Sequence, residues 1–109
     1  MAETIGNFEQ AVLLSVLRLG GEAYSRAIVD EVASRMDRHV AVGAVHVTLV
    51  RLERKGMLKS VIGDGTPARA GRPRRYYTLA RQGVRALRDA RDTHSQMWRG
   101  IRAAALEDA

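Results

Sequence analysis

The chain has 109 residues and a mass of 12.0 kDa, enough for one hydrophobic core and too little for two, which excludes most multidomain enzymes. Apolar residues make up 46% and charged residues 28%, a globular balance and not that of a disordered chain. The net charge is +6 and sixteen of the eighteen cations are Arg, the planar cation that matches phosphate oxygens in pairs, so the balance leans towards nucleic acid.

Asn7, followed three residues later by Gln10, predicts an N-cap and capping box, and Gly20-Gly21 stops the helix they open. Phe8, Val12, Val16 and Leu19 form one apolar stripe along it, and Leu13 and Leu17 a second, so this helix needs two partners. A second amphipathic helix runs from Tyr24 to about Arg38, with Tyr24, Ile28, Val32 and Met36 at four-residue spacing. A short non-helical step from Val40 leads to a third helix over roughly Val42 to Lys55, stopped by Gly56 in the left-handed position that follows a helix.

At 100° per residue, Val42, Val45, Leu49 and Leu52 of the third helix share one arc, opposite Gly43, Ala44, Val47, Val50, Arg51 and Arg54. A solvated face normally carries Glu, Lys and Gln. Here it is small, apolar or Arg, which suits close approach to a groove or to a protein surface. Met57 to Ile62 and Arg74 to Leu79 then predict two strands around the turn chemistry of Gly63 to Pro67. Pro73 cannot donate to a ladder and belongs at the strand's first position or on an edge. The loop and second strand carry Arg69, Arg72, Arg74 and Arg75 against the single Asp64. From about Arg81 to Leu106 the composition predicts one long helix, about 39 Å, with Gly83 and Gly100 as soft spots. Val84, Leu87, Arg91, His94, Trp98, Ile101 and Ala105 recur on it at spacings of three and four, a seam for another helix.

Charge follows these elements. Residues 51–91 hold twelve cations and three acids, whereas residues 1–50 hold four and six and residues 92–109 hold two and three. The positive excess therefore sits on the third helix, the hairpin and the start of the last helix. There is no Cys, which removes disulfides and thiolate sites and fits a reducing cytoplasm. The first residues lack a basic signal-peptide start, and the longest apolar run, from Ala11 to Leu17, is broken by Ser15 and closed by Arg18, so neither a signal peptide nor a membrane span is expected. His39, His46 and His94 lack metal-ligand spacing, and no phosphate loop, nucleophile elbow or paired-carboxylate pocket is legible. No catalytic residue, metal or cofactor is expected.

Five segments carry a family resemblance: Asn7 to Leu14; Leu19-Gly20 with Ala23-Tyr24; Val42 to Leu49; Arg51-Leu52-Glu53-Arg54-Lys55-Gly56; and Gly71-Arg72-Pro73-Arg74-Arg75-Tyr76-Tyr77-Thr78-Leu79. Over residues 6–87 the chain closely resembles the PadR family of bacterial transcriptional regulators, and its length resembles the short subfamily with a single C-terminal helix. The resemblance implies a mainly α fold with a small β-hairpin: a winged helix-turn-helix over residues 1–79 and a long C-terminal dimerisation helix over residues 80–109. It implies a dimeric repressor on a palindromic double-stranded operator, associated with the nucleoid and released by a small molecule or another signal. Tyr24, Ser25, Arg26, Val47, Thr48, Arg51, Arg54, Arg69, Arg72, Arg74 and Arg75 would contact DNA. Leu13, Leu17, Val84, Leu87, His94, Trp98, Ile101 and Ala105 would form the homodimer interface. A small aromatic effector would meet His94, Met97, Trp98 and Ile101; the plainer and favoured reading of Trp98 is a hydrophobic anchor of the dimer seam.

Four residues depart from the family pattern: Ser25 for glycine, His46 for tyrosine, Ala70 for glycine and Ala80 for the capping threonine. His46 would change operator preference, add pH sensitivity or simply fill the aromatic slot; Ala80 leaves Thr78 as the nearest hydroxyl to cap the last helix. Two other readings stand beside it: a sequence-tolerant architectural DNA-binding protein, which Arg charge alone would serve, and a winged helix repurposed for protein contact, against which the positive excess over residues 51–91 argues.

Overall fold

A computed structural model describes residues 4–63 and 71–109. Helix α1 spans Asn7–Leu19. Its cap lies one residue earlier than the spacing predicts: Gly6 is the N-cap, and its N–H donates to Glu9 Oε1 at 3.1 Å, so Glu9 and not Gln10 serves the third helical position. Gly20, at φ +56°, ends α1, and the chain turns through a single 3-10 turn, Gly20–Glu22. Helix α2 is Ser25–Met36, closed by Asp37 in the left-handed region, and α3 is Val42–Arg54, followed by Gly56 at φ +79°. Both agree with the predicted helices to within two residues.

The core lies between these three helices and the base of the hairpin. Val12, Leu13, Val16, Ile28, Val32, Val45, Leu49, Leu52 and Leu58 are all essentially fully buried. Strands β1, Leu58–Ile62, and β2, Arg75–Leu79, pair antiparallel, with Leu58 opposite Leu79 and Ile62 opposite Arg75. The turn between α1 and α2 adds a third rung: Tyr24 bridges Tyr76, and Tyr77 N–H donates to the Ala23 carbonyl at 2.8 Å. Pro73 sits just before β2, where no ladder hydrogen bond is lost.

Ala80 begins α4, Arg81–Trp98, without any side-chain cap. Its backbone compensates: Ala80 N–H donates to the Met57 carbonyl at 3.0 Å, docking the start of α4 onto the α3–β1 corner. Gly83 makes this possible, because a Cβ there would collide with the same carbonyl.

The single long helix expected to Leu106 is interrupted. Gly100 adopts φ +82°, Ile101 N–H bonds back to the Trp98 carbonyl at 3.0 Å, and a separate short helix α5, Ala103–Asp108, follows. Gly100 does what glycine does after a helix, so the soft spot is a stop. Every residue from Arg91 onward is exposed. The radius of gyration is 16.3 Å and the longest extent 56 Å, against about 13 Å for a compact chain of this length, so the C-terminal segment projects from the core.

Candidate nucleic-acid interface

Three elements converge on one concave surface. Tyr24, the extended residue before α2, is followed by Ser25 and Arg26; Val42 and His46 come from the first turns of α3; Pro73 and Arg74 lead into β2, which Arg75 begins. Together with Val29 and Tyr77 they line a hollow of about 390 Å³. Among the described residues it contains three Arg and no carboxylate. Residues 42 and 46 are one helical turn apart and so face the same way. The bridge of Tyr24 to Tyr76 fixes β2 against α2.

The cations are held by distinct means. The Arg74 guanidinium lies 3.9 Å over the Tyr24 ring, which meets Tyr76 edge-on at 5.9 Å. Arg74 Nε is buried without a hydrogen bond among the described residues, a cost that contact with the ring's negative face partly offsets. Arg75 Nη1 donates to Ser60 Oγ at 2.9 Å, and Ser60 Oγ donates to Glu53 Oε2 at 2.6 Å, a relay that braces β2 and β1 against α3. Arg26 pairs with Asp30 across one turn of α2 at 3.4 Å, both largely exposed, a geometry of small energetic weight. Arg72 is exposed just before β2. Arg69 lies outside the described residues. Burial raises the pKa of the Tyr77 hydroxyl above its ordinary 10.0; Arg75 opposes that shift and Glu53 reinforces it.

Gly43, Ala44, Val47, Val50, Arg51 and Arg54 of α3 are exposed, with Val47 at 60%. Two positions fall on the other side of the expected division. Thr48, expected at base edges, is buried and donates its hydroxyl to the Ala44 carbonyl at 2.8 Å. It stands only about 60° around the helix from Val45, within the stripe that faces the core. Val42, expected in the core arc, is 53% exposed, because at the first turn of α3 nothing covers it. Arg51 is not a simple outward cation either: its Nε lies 3.4 Å from Glu9 Oε2, which also lies 3.5 Å from Lys55 Nζ. Glu9, Glu53 and Ser60 shape this face, yet no spacing in the sequence links residue 9 to 51 or 53 to 60.

The expected dimer residues divide similarly. Leu13 is wholly buried in the core of its own chain and so is closed to a second copy. Leu17 is 59% exposed and lines a hollow of about 370 Å³ with Gln10, Leu14, Leu79, Val84 and Leu87, rimmed by Arg88 and Arg91. His94 and Trp98 stack at 5.9 Å further along α4. Ile101 falls in the break and Ala105 on α5, so the seam is in two pieces and not one continuous line. Of the residues expected to meet an effector, His94 and Met97 line a smaller hollow of about 240 Å³ against Thr4, Ile5 and Asn7, whereas Trp98 and Ile101 do not. Among the described residues there is no group of side chains that could hold a metal ion, and no helix is long and apolar enough to cross a membrane.

A helix-turn-helix braced by a two-stranded wing is the arrangement found in solved relatives. A PadR family transcriptional regulator from Eggerthella lenta is similar at 26% identity and a TM-score of 0.64, over 83% of this chain and 76% of that one. RosR of H. salinarum is similar at 22% identity and a TM-score of 0.71, over 94% and 84%. BpsR of Bordetella bronchiseptica, whose DNA binding is regulated by 6-hydroxynicotinic acid, is similar at 17% identity and a TM-score of 0.61, over 93% and 70%. At these two lower identities the likeness is one of fold. No curated protein sequence matches the chain. Residues 13–89, most of the chain and all of α2, α3 and the hairpin, match the Transcriptional regulator PadR-like family, and the chain belongs to that family of DNA-binding transcriptional regulators.

Proposed function

We propose that the chain is a sequence-specific regulator that binds a palindromic operator as a homodimer and represses transcription until a signal releases it. The observation that carries this reading is the hollow where Ser25, Arg26, His46, Arg74 and Arg75 meet beside the exposed face of α3. Each subunit's α3 enters one of two successive major grooves about 34 Å apart. Gly43 and Ala44 let its axis approach closely, Val47 meets a thymine methyl, and Arg51 and Arg54 reach guanine edges or flanking phosphates. Tyr24, Ser25 and Arg26 at the start of α2 and Arg69, Arg72, Arg74 and Arg75 of the wing hold the DNA backbone or enter the minor groove.

In this reading residues 1–79 form the reading head and residues 80–109 the dimerisation segment. The hollow around Leu17, Val84 and Leu87 receives the second copy, with His94, Trp98, Ile101 and Ala105 extending the contact. A dimer on a promoter in the cytoplasm excludes polymerase. A small aromatic effector held near His94 and Met97, with Trp98 and Ile101 adjacent, would alter the spacing of the two reading heads; BpsR's response to 6-hydroxynicotinic acid supports this. Trp98, the only tryptophan, reports such binding by fluorescence.

Selection of bound fragments from the parent genome tests the reading. The enriched fragment is expected to bind about a thousandfold or more tighter than a scrambled duplex at physiological salt. Equal affinities would favour a sequence-tolerant architectural protein, and no binding at low salt would contradict DNA recognition altogether.

A further inference from the structure

Glu9 is placed unusually for a residue in a first helical turn. Its side chain is only 12% exposed; one carboxylate oxygen accepts the Gly6 N–H and the other faces both Arg51 and Lys55, one turn apart at the C-terminal end of α3. The N-terminus of α1 favours a carboxylate at this position, so the acid is fixed from its own side and presented to α3.

We propose that Glu9 is a specificity-determining positioning residue: by holding Arg51 and Lys55, it keeps two cations of the reading helix from gripping DNA backbone indiscriminately. This rests on the reading of α3 as the helix that meets DNA. Nonspecific affinity grows with every cation that reaches a phosphate and releases a counterion. A cation already paired with a carboxylate must leave it first, and a phosphate at an arbitrary place does not offset that loss. A guanine edge presenting two acceptors to Arg51 does, because the fork-shaped contact is stronger and directional. Glu9 therefore lowers binding to wrong sequences more than to the right one.

The test uses the full chain, a random-sequence duplex of about 30 base pairs and the enriched genomic fragment. Glu9→Gln keeps an oxygen for the Gly6 N–H but loses the charge. It is expected to bind the random duplex roughly threefold to tenfold more tightly at 0.1 M salt, and to steepen the slope of log K against log salt by about one to two. The preference for the enriched fragment falls by a similar factor. In an Arg51→Ala, Lys55→Ala background Glu9→Gln is expected to change neither quantity. A Glu9→Gln variant that melts earlier but keeps its slope and preference would overturn the proposal, leaving Glu9 a structural residue. So would an effect that survives in the double-alanine background, since Glu9 would then act only as general negative charge. If Arg51→Ala, Lys55→Ala itself binds both duplexes as the wild type does, this end of α3 does not meet DNA and the functional reading fails there as well.

Discussion

Leu13 and Leu17 lie one turn apart on α1, and replacing each in turn separates the core from the proposed interface. Leu13 is 0% exposed, so Leu13→Ala removes a packed side chain and leaves a cavity, at a cost of about 3–5 kcal/mol of folding stability. That is a large part of the stability of a small domain. Leu17 is 59% exposed. Fully burying a Leu contributes about 1.5–3 kcal/mol, so covering the exposed share contributes about 1–1.8 kcal/mol for each copy. A two-fold interface uses the residue twice, and Leu17→Ala is expected to weaken dimerisation by roughly 30- to 400-fold. Urea unfolding of the monomer at low concentration reads the first effect, and sedimentation velocity across a concentration series reads the second. A Leu17→Ala protein that dimerises like the wild type would remove the α1–α4 hollow from the interface. A Leu13→Ala protein of unchanged monomer stability would contradict the packing of α1.

The wing, the α4 junction and the buried tyrosine give further tests. Changing Arg72 and Arg75 together to Ala is expected to flatten the slope of log K against log salt by about two units, and an unchanged slope would take both out of the DNA contact. Gly83→Ala gains about 1 kcal/mol of helix propensity but pushes a methyl into the Met57 carbonyl. Overpacking at that contact costs about 1–3 kcal/mol and separates α4 from the core, so calorimetry should show a lower Tm and not a higher one. Burial holds the Tyr77 hydroxyl protonated above its usual pKa of 10.0. Its contribution is complete below pH 10.0 and is lost as the pH rises further, because the unfolded chain ionises first. Stability should therefore fall above pH 10, less steeply in Tyr77→Phe; identical alkaline profiles would contradict the burial.

Local chemistry made the element boundaries legible. Gly20 and Gly56 adopt the positive φ that their places after helices demand, and Gly63 to Pro67 separates two runs that pair as strands. The opposed arcs of α3 follow from its period, apart from Thr48 and Val42 at the margins, where the width of the covered stripe and the end of the helix decide burial. What spacing does not contain is the third dimension. Leu13 and Leu17 share a stripe, yet one is buried and the other exposed, a difference set by the tertiary packing and not by their spacing. Gly100 is a visible weakness whose effect depends on how far neighbours cover the helix, and every residue from Arg91 onward is exposed. Glu9 reaches Arg51 and Lys55 only because α1 crosses the end of α3. The basic hollow was legible in composition as an excess of Arg over residues 51–91, and its depth comes from Tyr24, Val42 and Tyr77, which no charge count would select.

The central claim is that DNA meets the surface shared by α2, α3 and β2. Amide chemical-shift mapping of the labelled chain, titrated with the enriched genomic fragment, tests it most directly. The largest changes are expected at Tyr24 to Arg26, Gly43 to Val47 and Arg74-Arg75, with little change at Leu14, Leu17, Val84 and Leu87. Changes centred on the α1–α4 hollow, with the basic surface silent, would contradict it.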